Sequence, residues 1–204
     1  MKTVDYFKKY SIYALLLVGV LFIGCTKDDD DPAPENELEV ITDVKLIFTN
    51  TNDANDVVTA RAQDPDGPGV QELAILDTIN LGVGKTYTLT YEIFNNLETP
   101  GENIGDEIKD EDDEHQFFFS FSNNAFANPT GNGNIDTASD PINYNDNDGT
   151  NPVGLSTTWT TSTTQLTNGT FTVRLQHQPG VKTATSGATD GDTDFNLPFV
   201  LNIR

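Results

Sequence analysis

The chain has 204 residues, with 32 acidic and 11 basic side chains and a net charge of −21 at pH 7. This excess of negative charge repels phosphates, so it disfavours nucleic acids and anionic membrane surfaces as ligands and favours cations. The length suits one domain with a hydrophobic core of ordinary size.

The first 24 residues have the layout of a secretory signal peptide. Three lysines lie near the start, residues 12–23 are almost entirely apolar, and Gly24 directly precedes Cys25, which is the only cysteine. The apolar run is shorter than the roughly 20 residues that a membrane-spanning helix needs. We therefore expect residues 1–24 to be removed as a leader.

The residues around Cys25 indicate a lipid anchor. Phe-Ile-Gly-Cys resembles a bacterial lipobox, and the four aspartates at 28–31 resemble the surface-export signal of lipoproteins in Bacteroidetes-type bacteria. We expect Cys25 to carry lipid and to hold the protein in the outer membrane, exposed at the cell surface. The rest of the chain would then have no thiol for a disulfide, a zinc–thiolate site or a nucleophile. Residues 26–38 are acidic and poor in apolar groups, so we expect a disordered tether.

From residue 39 onward, apolar side chains recur with a period of two, which is typical of β-strands. The alternation is clearest at residues 44–48, 87–93, 117–121, 171–175 and 195–203, and shorter candidate strands lie near 57–59, 71–76 and 155–161. One polar face per strand is typical of antiparallel sheets. Seven or eight strands with loops rich in Gly, Asn, Asp and Pro predict an all-β antiparallel sandwich, immunoglobulin-like or related, as a single domain over residues 39–204. We expect Trp159 to face its core.

Two segments interrupt the alternation. Residues 98–114 are acidic, and Ile104 and Ile108 are four apart, which suits either one or two helical turns or an acidic loop. Residues 122–151 are rich in Asn, Asp and Gly and predict a long loop or a pair of turns. A loop of this length is uncommon in a compact domain and is often functional.

The two histidines are the candidate metal ligands. His115 shares the inward face of the 117–121 strand, and His177 shares the inward face of the 171–175 strand. If the two strand ends meet, both imidazoles lie together with Glu114 and Glu111 nearby. Two imidazoles with carboxylates suit Zn²⁺ or Cu²⁺. The alternative is that each histidine is a half-buried structural residue with local hydrogen bonds.

Calcium is the alternative ion. Asp64 and Asp66 lie in the run DPDGPG, and Asp146 and Asp148 lie in NDNDGTN, both dense in the oxygen ligands that Ca²⁺ takes. The second run lacks EF-hand spacing, however, because the ligand positions before and after its glycine hold Tyr and Leu. Such runs also form ordinary turns between strands.

Two further features concern modification and catalysis. Thr78 and Thr137 lie in Asp-Thr-apolar runs that are similar to the acceptor of periplasmic O-glycosylation in the same bacterial group. The chain lacks a Gly-x-Ser-x-Gly elbow, and its acids are too numerous to single out a catalytic pair. We therefore predict that the protein is not an enzyme.

Several segments of the chain carry a resemblance to a known family: the CTKDDDD start, the EVITDVKLIFTN and KTYTLTYEIFNN runs, and the DEHQFF and LxHxP segments that contain His115 and His177. In these segments the domain resembles a family of uncharacterised Bacteroidetes and Flavobacteria surface lipoproteins. It implies a location and gives weight to the two histidines, but it implies no activity. Our hypothesis is a binding module that captures a transition-metal ion or a small nutrient for an outer-membrane transporter. The alternative is a structural or adhesive cell-surface protein with no small-molecule site.

Overall fold

The computed structural model describes residues 39–64, 66–67 and 72–204. The predicted signal peptide, Cys25 and the predicted tether lie outside the described residues. Within the described part of the chain, the helix α1 (Ile104–Asp110) has seven residues, and no helix combines the length and the apolar character needed to cross a membrane.

In the part of the chain that the structure describes, ten strands form two sheets, which confirms the predicted all-β sandwich. The strands are β1 (Asp43–Asn50), β2 (Val57–Gln63), β3 (Ala74–Ile75), β4 (Ile79–Leu81), β5 (Thr86–Phe94), β6 (His115–Phe121), β7 (Phe126–Asn128), β8 (Thr157–Thr161), β9 (Leu166–His177) and β10 (Asp192–Ile203). One sheet has the order β3-β2-β1-β5-β8-β7 and the other β4-β10-β9-β6. The described pairs are antiparallel except β4 with β10, which is parallel. The strands β4 and β7 were not predicted, because three residues are too few to show alternation.

The core forms where the inward faces of the two sheets meet. In β1, buried and half-buried residues alternate as the sequence pattern predicts. Trp159 is fully buried, as predicted, and its ring centroid lies 4.9–5.5 Å from those of four phenylalanines: Phe119, Phe121, Phe126 and Phe171. Aromatic packing of this kind dominates core energetics, and here it packs β6 and β9 against β7 and β8.

The long segment between β7 and β8 covers the outer edge of β6. Phe117 N donates to Val153 O at 2.7 Å, and Asn134 N donates to Phe119 O at 2.7 Å. The Asn134 side chain accepts in return from Phe119 N at 2.9 Å. These bonds satisfy edge groups that would otherwise be open to pairing with another chain.

The acidic segment before β6 takes the helical alternative. Ile104 and Ile108 are buried on one side of α1, four residues apart. The helix ends at Asp110, with Glu111 as its C-cap. The chain then turns into β6 through Glu114, whose N–H donates to Glu111 O at 3.0 Å. This turn sets Glu111 and Glu114 beside the first residue of β6, His115.

Candidate metal centre

The two histidines lie directly opposite each other on neighbouring strands. The antiparallel register of β6 and β9 pairs His115 with His177. Their rings stack with centroids 4.5 Å apart and an interplanar angle of 1°. His115 is fully buried and His177 is 5% exposed. Both side chains face inward because each keeps the phase of the apolar residues in its strand.

Both predicted carboxylates lie beside this pair. A carboxylate oxygen of Glu111 and one ring nitrogen of each histidine lie within 4.8 Å of one another. Glu114 Oε2 lies 3.4 Å from His177 Nε2. The four side chains for which the sequence predicts a metal site therefore gather at one end of the four-stranded sheet.

The hydrogen bonds of the pair define which nitrogens can bind an ion. His115 Nδ1 lies 3.2 Å from the carbonyl oxygen of Glu111. A carbonyl only accepts, so Nδ1 carries the proton and Nε2 has a lone pair. A backbone carbonyl on one nitrogen is the usual arrangement for a metal-binding histidine. Within the described residues, His115 Nε2 and both nitrogens of His177 make no hydrogen bond.

Burial keeps the His115 imidazole neutral and raises the pKa of a carboxyl group in the same region. Burial lowers the pKa of His115 to about 4, and the nearby His177 and Lys182 lower it further. The hydrogen bond to the Glu111 carbonyl acts in the opposite direction and raises this pKa. Burial also raises the pKa of Glu39 to about 7, together with the charges of Glu107 and Asp194. A neutral imidazole is the form that binds metal, and crowded carboxylates are stabilised by a cation.

Asp194 is a further acidic residue beside His115, outside the 4.8 Å group of Glu111, His115 and His177, and the sequence pattern did not predict it. Its side chain is fully buried, and Oδ2 lies 4.0 Å from His115 Nε2. The alternation of β10 sets Phe195 inward, so it predicts that Asp194 faces outward. The pairing of β10 with β9 is irregular between Thr193 and Phe195, and this bulge turns Asp194 inward. Periodicity carries no signal for a bulge.

The arrangement could hold Zn²⁺ or a similar ion after a small adjustment. In a tetrahedral site with bonds of about 2.0–2.1 Å, the ligand atoms lie about 3.4 Å apart, so the 4.8 Å cluster has to contract. The lone pair of an imidazole lies in the plane of its ring, and two parallel rings share no such point. One ring must therefore rotate, and His177 can do so without breaking a hydrogen bond of its nitrogens.

The acids considered for calcium have other partners. Asp148 Oδ1 accepts from the N–H groups of Thr150 and Asn151 at 2.8 and 2.6 Å, and its Oδ2 lies 3.2 Å from Lys182 Nζ. Asp146 Oδ1 accepts from Gly154 N at 3.0 Å. These carboxylates close their own loop, as the turn interpretation expects.

In the other calcium candidate run, Asp64 Oδ1 accepts from the N–H groups of Asp66 and Gly67 at 3.3 and 3.2 Å. These bonds again close a local turn, as the turn interpretation expects. The two candidate glycosylation residues, Thr78 and Thr137, are exposed and lie between strands.

No family model, no curated protein and no solved structure matches this chain. The functional argument therefore rests on the fold and on the cluster at the end of the four-stranded sheet. Together they define a β-sandwich with a buried pair of histidines beside carboxylates.

Proposed function

We propose that this protein is a non-enzymatic, lipid-anchored surface protein that captures a transition-metal ion, Zn²⁺ or Cu²⁺, between Glu111, His115 and His177. The observation that carries the proposal is the buried histidine pair, in which three ring nitrogens make no hydrogen bond. One ring nitrogen of each histidine lies within 4.8 Å of a Glu111 carboxylate oxygen. The high negative charge of the chain supports it, because cations concentrate near such a surface. We favour an ion over a small organic nutrient, since ligand atoms 4.8 Å apart enclose a space of atomic size.

The anchor and the delivery step rest on the sequence alone. Lipid on Cys25 would hold the protein in the outer membrane, and a captured ion would have to pass to an outer-membrane transporter to be used. Labelling of cells with a palmitate analogue should mark the wild type and not Cys25→Ser. Protease treatment of intact cells should degrade the protein, and its survival would contradict surface exposure.

The metal proposal is tested by equilibrium dialysis against zinc, followed by elemental analysis. The test variant is His115→Asn/His177→Asn, which preserves side-chain size better than alanine. The control is Lys45→Gln/Glu92→Gln, which removes an exposed ion pair of 3.1 Å on the other sheet. We expect one ion per chain in the wild type and the control, and none in the histidine variant. A wild type that takes up no metal would favour the structural or adhesive alternative.

Thermal unfolding gives an independent measurement. A ligand at about 100 times its dissociation constant stabilises the folded state by about 2.7 kcal/mol. For a domain of this size, each kcal/mol raises the melting temperature by about 2–4 °C. Zinc should therefore raise the midpoint by about 5–10 °C, on the same two principles, and a chelator should reverse the shift. The histidine variant should show no shift.

A further inference from the structure

The bulge at the start of β10 brings a carboxylate to a place where the strand pattern would not put one. Asp192 pairs with His177 and Thr193 pairs with Gln176, but the next regular pair is Phe195 with Leu175. Asp194 is the extra residue. Its side chain is fully buried, whereas Asp192 is exposed. Bulges are over-represented next to active sites because they redirect one side chain.

The Asp194 carboxylate faces an atom that cannot bond to it. Oδ1 accepts a hydrogen bond from Glu39 N at 3.4 Å, but Oδ2 has no partner among the described residues. It lies 4.0 Å from His115 Nε2. Because His115 carries its proton on Nδ1, Nε2 and Oδ2 are both acceptors, and neither can satisfy the other. A cation between them would satisfy both.

We infer that Asp194 is a direct ligand of the captured ion. A divalent ion such as Zn²⁺ would then be bound by His115 in β6, His177 in β9, Glu111 directly after α1 and Asp194 in β10. The inference rests on the proposed function and adds a ligand to it. Ligand atoms in a tetrahedral zinc site lie about 3.4 Å apart, so an approach of about 0.6 Å from the observed 4.0 Å brings both atoms into bonding range. The oxygen ligands favour a divalent ion over Cu⁺, which prefers sulfur.

The first experiment compares zinc affinity in the full chain carrying Cys25→Ser, with Asp194→Asn added as the test and Asp192→Asn as the control. Asparagine preserves size and removes the charge. Loss of a residue that only supports a ligand costs about 10–100-fold in metal affinity. For a direct ligand we expect a loss greater than about 100-fold, and we expect the control to stay within about threefold, since Asp192 is exposed.

The second experiment tests direct bonding. Cys25 is the only cysteine, so the Cys25→Ser background has no thiol. Asp194→Cys is then loaded with Co²⁺, with Asp192→Cys as its control. A thiolate bonded to cobalt gives a charge-transfer absorption band in the near ultraviolet. We expect the band in Asp194→Cys and not in Asp192→Cys.

The outcomes separate this inference from the proposed function. The inference is supported if the wild type binds zinc, Asp194→Asn loses most of that affinity and Asp194→Cys shows the cobalt band. Zinc binding that survives Asp194→Asn overturns the inference and leaves the proposed function standing. A large loss without the cobalt band overturns it too, because Asp194 then acts only through His115. Absence of zinc binding in the wild type overturns both.

Discussion

Gly133 and Gly131 form a matched pair that tests how the long segment holds the edge of β6. Both are in the same segment with nearly equal positive φ angles, 96° and 95°. A Cβ on Gly131 would meet nothing within 4 Å. A Cβ on Gly133 would overlap the Phe119 carbonyl oxygen and lie 2.7 Å from the Phe119 carbonyl carbon and from Ser120 Cα. Alanine at either position has the same backbone strain, but only alanine at Gly133 collides with β6. Comparing the two variants therefore isolates the effect of contact with β6.

The expected costs follow from these contacts. A non-glycine residue at such a φ costs at least about 1 kcal/mol, and Gly131→Ala should cost little more. In Gly133→Ala the segment has to move away from β6. This movement breaks the bonds between Asn134 and Phe119 and the bond from Phe121 N to Asn132 O. Three bonds at about 1 kcal/mol each bring the total to about 3–4 kcal/mol.

Urea unfolding of both variants measures this difference, with the slope of the transition as a check that two-state behaviour is preserved. We expect Gly133→Ala to be less stable than Gly131→Ala by about 2–3 kcal/mol, the contribution of the lost bonds. Equal costs would refute the reasoning, since they would mean that the segment does not bind the strand edge in solution.

Three other outcomes are expected from buried charges. Lys182 and Asp148 form an ion pair whose side chains are 1% and 5% exposed. Lys182→Met leaves the Asp148 charge unpaired, so it should lower the free energy of unfolding measured in urea by about 3 kcal/mol. The control, Lys109→Met on the helix surface, should change it by almost nothing. Burial alone would raise the pKa of Asp148, but hydrogen bonds from N–H groups and from Lys182 lower it to about 2. Because the folded pKa lies below the unfolded value of 3.8, this contribution is complete above about pH 4–5 and is lost as pH falls toward 2. Asp148→Asn should reduce the loss of unfolding free energy across that pH window by about 1–2 kcal/mol, after allowance for solvent screening. An unchanged dependence of stability on acid pH would contradict the lowered pKa of Asp148. Asp194→Asn should raise the free energy of unfolding of the metal-free protein at pH 7.5 by about 1 kcal/mol, because an amide N–H can donate to His115 Nε2. A clear loss of stability would mean that the carboxylate has a structural partner.

Local pattern was enough to predict most of the fold. The alternation of apolar residues in β1, β5, β6, β9 and β10 depends only on neighbours along the chain, and it also predicted which face each histidine occupies. The sequence did not determine that β6 and β9 are neighbours, because pairing depends on how the whole chain folds. His115 and His177 meet only through that pairing.

Asp194 shows the other limit of sequence pattern. A period-two strand assigns it to the outer face, and only the irregular pairing at 193–195 reverses this. Such an irregularity depends on the partner strand and on the contacts of the residue that is turned inward. The short strands β4 and β7 escaped prediction for a related reason, since three residues become a strand only when a longer neighbour supplies the hydrogen bonds.

The distribution of unsatisfied polar atoms supports the proposal that these histidines bind an ion. Eight buried side-chain nitrogen and oxygen atoms in the described residues lack a hydrogen bond, and four of them belong to His115, His177 and Asp194. Each such atom costs about 1–3 kcal/mol, and native proteins hold few of them. Histidines that only stabilise a strand end would be expected to use these nitrogens in hydrogen bonds. A cluster left unsatisfied beside carboxylates would instead gain free energy when a cation enters, once one ring rotates and the ligand atoms approach one another.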